Sequence, residues 1–185
     1  MNEISVLALG GYSESGKSSS GRYLEKAGYA RFKIADIYRR LYALSDSPLS
    51  FVEWSNWIDQ NRPDWIGEQF LSLLLEDLRQ AGTNKCTIES LYGDTLALQL
   101  KKHLGDNFKI VFIDISRDIR LQRQMQRESL DSIDAAAKML DPRDEMKRAW
   151  GADRLKEIAD FIVDNSGPPS ALEAQLDAIA SGSAV

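Results

Sequence analysis

Eight residues, Gly11-Tyr12-Ser13-Glu14-Ser15-Gly16-Lys17-Ser18, restrict this chain more than any other part of it. The spacing Gly-x-x-x-x-Gly-Lys-Ser lets a backbone wrap a phosphate, because glycines remove side-chain clash and successive N–H groups turn inward as an anion nest. Gly11 and Gly16 take the glycine places, and Ser13, Glu14, Ser15 and Ser19 belong to the same wrap. Lys17 is then placed to reach β- and γ-phosphates, and the Ser18 hydroxyl to ligate magnesium alongside phosphate oxygens and water. A glycine-rich turn alone would explain the glycines. It would not explain the strand-length apolar run at 4–9 just before the loop or the helical pattern at 17–26 just after it, which Gly28 is placed to end in the left-handed conformation.

Short apolar runs and longer helical patterns alternate along the rest of the chain, the form of a parallel sheet with helices on both faces. Strands are expected at 31–34, 85–90, 109–115 and 161–163. Helices are expected at 37–44, 65–80, 94–103 and 117–128, then up to 159, and at 172–180 behind a Ser170/Glu173 capping box. The expected fold class is α/β, with three layers built on a central parallel sheet of about five strands, plus a small lid. One domain of 185 residues accommodates this, with a helical acceptor-side insertion at 45–80, a lid at 123–148 and a frayed tail at 181–185.

Composition removes other classes. A net charge of −5 argues against a large nucleic-acid surface, which declares itself as a basic excess. Cys86 is the single cysteine, so no intrachain disulfide and no cysteine metal cluster can form, and it is expected to pack as a small hydrophobe. Neither a membrane span nor a signal peptide is apparent, and a cytoplasmic protein, monomer or homodimer, is expected.

Beyond the phosphate loop, four segments carry a resemblance: 32–39, with Asp36 and Arg39; 120–127, with Arg120, Arg123 and Arg127; 141–144, with Arg143; and 159–165, ending at Asn165. Over most of its length the chain resembles the nucleotide-kinase branch of P-loop proteins, dephospho-coenzyme A kinase and nucleoside monophosphate kinase-like proteins in particular. The resemblance implies ATP and Mg2+ as cofactors and a nucleotide-like small molecule as acceptor. It implies an acidic residue near the acceptor at Asp36, an acceptor-phosphate arginine at Arg39, a lid carrying Arg120, Arg123, Arg127 and Arg143, and Asn165 in a loop beside the adenine. Such residues suit phosphoryl transfer, in which cations neutralise charge on the moving group and a lid excludes water.

Each has a plainer alternative. Asp36 could simply cap the helix at 37. The arginines at 120, 123 and 127 share one helical face, as a solvated charged stripe also would. Glu89, at the carboxyl edge of a strand, could hold a magnesium-bound water or activate the acceptor. Trp54, Trp57 and Trp65 lie where an acceptor ring could stack, Trp57 being the candidate carried forward, although core packing is the usual fate of tryptophan. His103 is expected in a helix C-terminal turn. Two other functions stay open: a kinase acting on a modified nucleotide in DNA or RNA, and a regulatory or switch-type ATPase, for which no guanine-specifying Asn-Lys-x-Asp is present.

Overall fold

The computed structural model describes residues 4–183. Five strands, β1 (Ser5–Gly10), β2 (Ala30–Lys33), β3 (Lys85–Leu91), β4 (Phe108–Asp114) and β5 (Phe161–Asp164), form one sheet in the order β2-β3-β1-β4-β5. Every pairing is parallel. β1 lies at the centre and is apolar on both faces, as a strand covered from both sides must be. Val6 and Ala8 face one layer, Leu7 and Leu9 the other.

The helices are α1 (Lys17–Lys26), α2 (Ile34–Ala43), α3 (Phe51–Asn61), α4 (Pro63–Ala81), α5 (Asp94–Leu104), α6 (Arg117–Glu128), α7 (Ile133–Ala149), α8 (Ala152–Glu157) and α9 (Pro169–Ala180). On one face Ile37, Trp54, Phe70 and Leu100, from α2 to α5, bury against Ile88, Phe108 and Phe112. On the other, Leu24 of α1 and Leu172 and Leu176 of α9 cover Leu7, Leu9, Val111 and Val163. The three-layer α/β expectation therefore holds. α6 and α7 stand apart as a hairpin with its own small core of Leu121, Ala136 and Leu140.

Local chemistry explains the helix ends. Gly28 sits at φ 88°, and the Tyr29 N–H reaches back to the Leu24 carbonyl at 3.2 Å, closing α1 as expected. Ser50 and Glu53 cap α3 reciprocally.

Three local expectations change. α2 starts at Ile34 with Lys33 as its N-cap, so Asp36 stands within the first turn, facing the helix dipole, and caps nothing. The helix expected only after a polar segment through Asp144 starts earlier and is divided: α7 already begins at Ile133 and continues through Pro142, whose exposed position leaves the lost backbone bond to water, and α8 follows it. α9 begins at Pro169 with Pro168 as its N-cap, a proline start that displaces the Ser170/Glu173 box. The helix ends at Ala180, and the last two residues of the expected frayed tail, Ala184 and Val185, lie outside the described residues. Among the described residues no helix is long and apolar enough to cross a membrane.

Candidate functional site

The loop between β1 and α1 has three left-handed residues, Gly11 (φ 133°), Glu14 (φ 59°) and Gly16 (φ 107°). A Cβ at Gly11 would meet the Ile113 carbonyl at 2.6 Å and Ser15 Oγ at 2.7 Å, and one at Gly16 would collide with the Asn165 amide. Glycine is therefore required at both places by conformation and by space.

Every turn of the loop is held from outside. Asp144 Oδ1 accepts from the Ser13 N–H at 3.2 Å, Arg120 donates to the Ser13 carbonyl at 3.3 Å, and Lys147 Nζ donates to Ser13 Oγ at 2.7 Å. Arg123 donates to the Glu14 carbonyl at 3.4 Å and the Asn165 carbonyl at 2.8 Å, while Arg127 pairs with the Glu14 carboxylate. Asn165 Nδ2 donates to the Ser15 carbonyl at 2.7 Å. The structure thus brings Arg120, Arg123, Arg127 and Asn165 onto the loop, and Arg143 is exposed beside them. Asn165 spends its amide on the loop backbone.

Lys17 folds back over the same loop, donating to the Gly11 carbonyl at 2.8 Å, the Tyr12 carbonyl at 2.6 Å and Ser15 Oγ at 3.3 Å. Lys17 and Lys147 also share an aromatic partner: their Nζ atoms lie 5.9 Å and 4.8 Å from the ring centroid of Tyr92. Arg120 is paired with Asp144, both at least nine-tenths buried, and its Nε is buried without a partner. Three buried cations, Lys17, Lys147 and Arg120, thus gather about the buried Asp144 and the part-buried Glu14, an excess of positive charge that an anion would relieve.

Burial, with the facing ammonium of Lys147, pushes Lys17 down to about 7, and burial pushes Lys147 down to about 8. The sign follows. Depressed pKa values mean that the empty site disfavours the ammonium forms; a bound polyanion favours them, so binding takes up protons wherever the pH exceeds the empty-state values. Titration calorimetry with ATP at about pH 8.5, in two buffers of different ionisation enthalpy, is expected to show proton uptake that disappears at about pH 6, where both lysines are already charged. Equal proton stoichiometry at both pH values would contradict this electrostatic picture.

Ser18 and Ser19 stand exposed at the start of α1. Glu89 does not face them openly: it is 1% exposed, donated to by Arg31 Nε at 2.7 Å, and packed against Gly21, one helical turn beyond Ser18. Its Oε2 is buried without a partner. Asp36 and Arg39 form an exposed pair at 3.5 Å, and Asp36 lines, with Glu89, a polar cavity of about 360 Å³ on the β2 side of the sheet.

A second cavity of about 370 Å³ opens between α2, α3, the end of β3 with the turn after it (residues 90–93) and the α7–α8 junction. Tyr38, Phe51, Tyr92, Trp150 and Asp59 line it. Tyr92 connects it to the phosphate loop. Trp57 is 46% exposed and outside this lining, and Trp54 is core. Sequence reasoning missed Asp144, Lys147, Tyr92, Asp59 and Trp150. A signal existed for the first two: Ala136, Leu140, Asp144 and Lys147 recur at helical spacing, a buried stripe that turns from apolar to charged.

No protein-family model matches the chain. The UPF0200/UPF0201 protein of Archaeoglobus fulgidus is 26% identical over 170 residues, covering 89% of this chain, which spans only 51% of that protein's length. A UPF0200 protein of Halobacterium salinarum is 25% identical over 179 residues, covering 94% of this chain and 90% of its own. Among solved structures, an uncharacterized protein from Eubacterium ventriosum superposes with TM-score 0.60 at 15% identity, covering 97% of this chain and 98% of its own. A gluconokinase from Sinorhizobium meliloti gives 0.52 at 19% identity, covering 98% and 97%, and a shikimate kinase from Acinetobacter baumannii 0.51 at 14%, covering 97% and 94%. The chain has the fold of P-loop kinases.

Proposed function

We propose that this protein is an ATP-dependent phosphotransferase that moves the γ-phosphoryl group to a nucleotide-like small molecule held in the cavity beside Tyr92. One observation carries the reading: Lys17 and Lys147 lie over the ring of Tyr92, and that ring also lines the second cavity, so an anion cradle and an acceptor-sized pocket share a wall.

The residues present suit this chemistry. Phosphoryl transfer passes through a loose transition state whose charge sits on the phosphoryl oxygens, so positioning and cations do most of the work. Lys17 and Lys147, both turned onto the loop, are the cations that would meet those oxygens, and Arg120, Arg123 and Arg127 hold the loop that would carry the donor phosphates. Magnesium fits Ser18, a hydroxyl exposed at the mouth of the loop, and the described residues contain no group of three acidic, histidine or cysteine side chains for a fully protein-bound metal. Bound there, the ion would supply positive charge that offsets the charge of the phosphates. Glu89 serves better as the anchor for Arg31 than as a ligand, because Arg31 holds its Oε1 and the carboxylate is buried behind Gly21, away from the exposed Ser18.

The test is ATP consumption with and without nucleoside monophosphates, dephospho-coenzyme A, and oligonucleotides with and without modified bases. At least one small molecule is expected to raise the rate well above background hydrolysis. Stimulation by oligonucleotides alone would move the acceptor into a polynucleotide. A rate indifferent to the whole panel would replace the kinase reading with that of a regulatory ATPase.

A further inference from the structure

The second cavity has a chemistry of its own. Four of its wall residues are aromatic, Tyr38, Phe51, Tyr92 and Trp150, and Tyr92 and Trp150 pack with ring centroids 5.9 Å apart at 32°. Such walls favour a flat ring, and the volume of about 370 Å³ lies at the small end of the range for small-molecule sites. Polar specificity comes from α3. Asp59 is the one acidic residue in the lining, and its Oδ1 accepts from the Tyr38 hydroxyl at 2.7 Å, leaving Oδ2 to accept from a ligand. The cations of the lining are turned elsewhere: Arg154 is held by Asp94 through two bonds, at 2.9 Å and 3.1 Å, and Lys33 is exposed. Arg39, which the sequence offered for an acceptor phosphate, lies outside the lining with its guanidinium 5.4 Å from the centroid of Phe51.

We propose that Asp59 is a specificity-determining residue, and that the cavity takes a planar heteroaromatic ring bearing an N–H donor, the chemistry of an amino nucleobase. The ring packs among Tyr92, Trp150 and Phe51, and its amino group donates to Asp59 Oδ2. The rest of the molecule then extends past Tyr92 toward Lys17 and Lys147. This inference rests on the acceptor reading for its biological meaning, but ring recognition is measurable without any turnover.

The experiment is titration calorimetry of the whole protein, without triphosphate, using adenosine against N6,N6-dimethyladenosine and cytidine against N4,N4-dimethylcytidine. Dimethylation removes the donors and leaves the ring. At least one parent nucleoside is expected to bind about tenfold more tightly than its dimethylated partner, the scale of one hydrogen bond to a charged acceptor. Asp59→Asn keeps an acceptor for the Tyr38 hydroxyl and is expected to erase that ratio. Failure of both parents to bind, equal affinities within each pair, or a ratio untouched by Asp59→Asn would overturn the proposal. Should the variant fail to fold, the methylation ratio of the natural protein decides alone. Selective binding with no phosphoryl transfer would sink the kinase reading and keep the ring site; transfer to an acceptor with no such ring would do the reverse.

Discussion

Lys17→Ala is expected to lower phosphoryl transfer about a thousandfold or more while leaving the protein folded. The lysine is the loop's own cation, and its three bonds in the empty site all return to the loop that carries it. Deleting it removes charge stabilisation from the transition state; between elements it gives up only a weak approach of the ammonium to the Tyr92 ring, 5.9 Å from its centroid. Stability should change by no more than about 1 kcal/mol, because a buried ammonium with a depressed pKa contributes little to the empty fold. Steady-state rates and thermal melts on the same preparation separate the two effects. Retained turnover would mean that the transferred group is not gripped by this loop.

Arg120→Met should have the opposite signature, a large loss of stability. Its partner Asp144 is 5% exposed, and removing the guanidinium takes the direct ion-pair partner from a carboxylate that water cannot reach, leaving it the Ser13 N–H and the field of the nearby lysines. Breaking one side of a buried ion pair costs about 3–5 kcal/mol. Replacing both, Arg120→Met with Asp144→Leu, should recover most of that loss, since a well-packed apolar pair can match a buried ionic one. Transfer should stay impaired in the double variant, because the Ser13 N–H has lost the acceptor that shapes the loop. Denaturant melts of the single and double variants form the cycle. If the single variant is as stable as the natural protein, the pair is not the fastening inferred here.

The sheet was legible because its inner strands are buried on both faces, which writes them as apolar runs such as residues 110–113 of β4. The phosphate loop was legible because Gly11 and Gly16 answer local demands of φ and space. The cavity proposed for the acceptor was harder for a physical reason. Its residues come from α2, α3, the end of β3 with the turn after it and the α7–α8 junction, and only the packing of the helical layer brings them together. Asp59 looks like any polar residue of an amphipathic helix until Tyr38 is seen to donate to it. Lys147 looks like a solvated last-turn lysine until α7 proves continuous through Pro142 and the buried stripe reaches Ser13. Trp57 was singled out by residue type, whereas the tryptophan that lines the cavity, Trp150, lies nearly a hundred residues along the chain.

The lone cysteine has a practical meaning as well. Cys86 lies inside the second-from-edge strand β3, fully buried, with its thiol pushed up to about 12 by that burial. A thiol so poor in thiolate is silent toward maleimides and mild oxidants. The chain is therefore a blank background for site-directed labelling: one cysteine introduced at the exposed Asp131, between α6 and α7, would carry a single dye. The hairpin that holds the phosphate loop can then be followed by its own fluorescence.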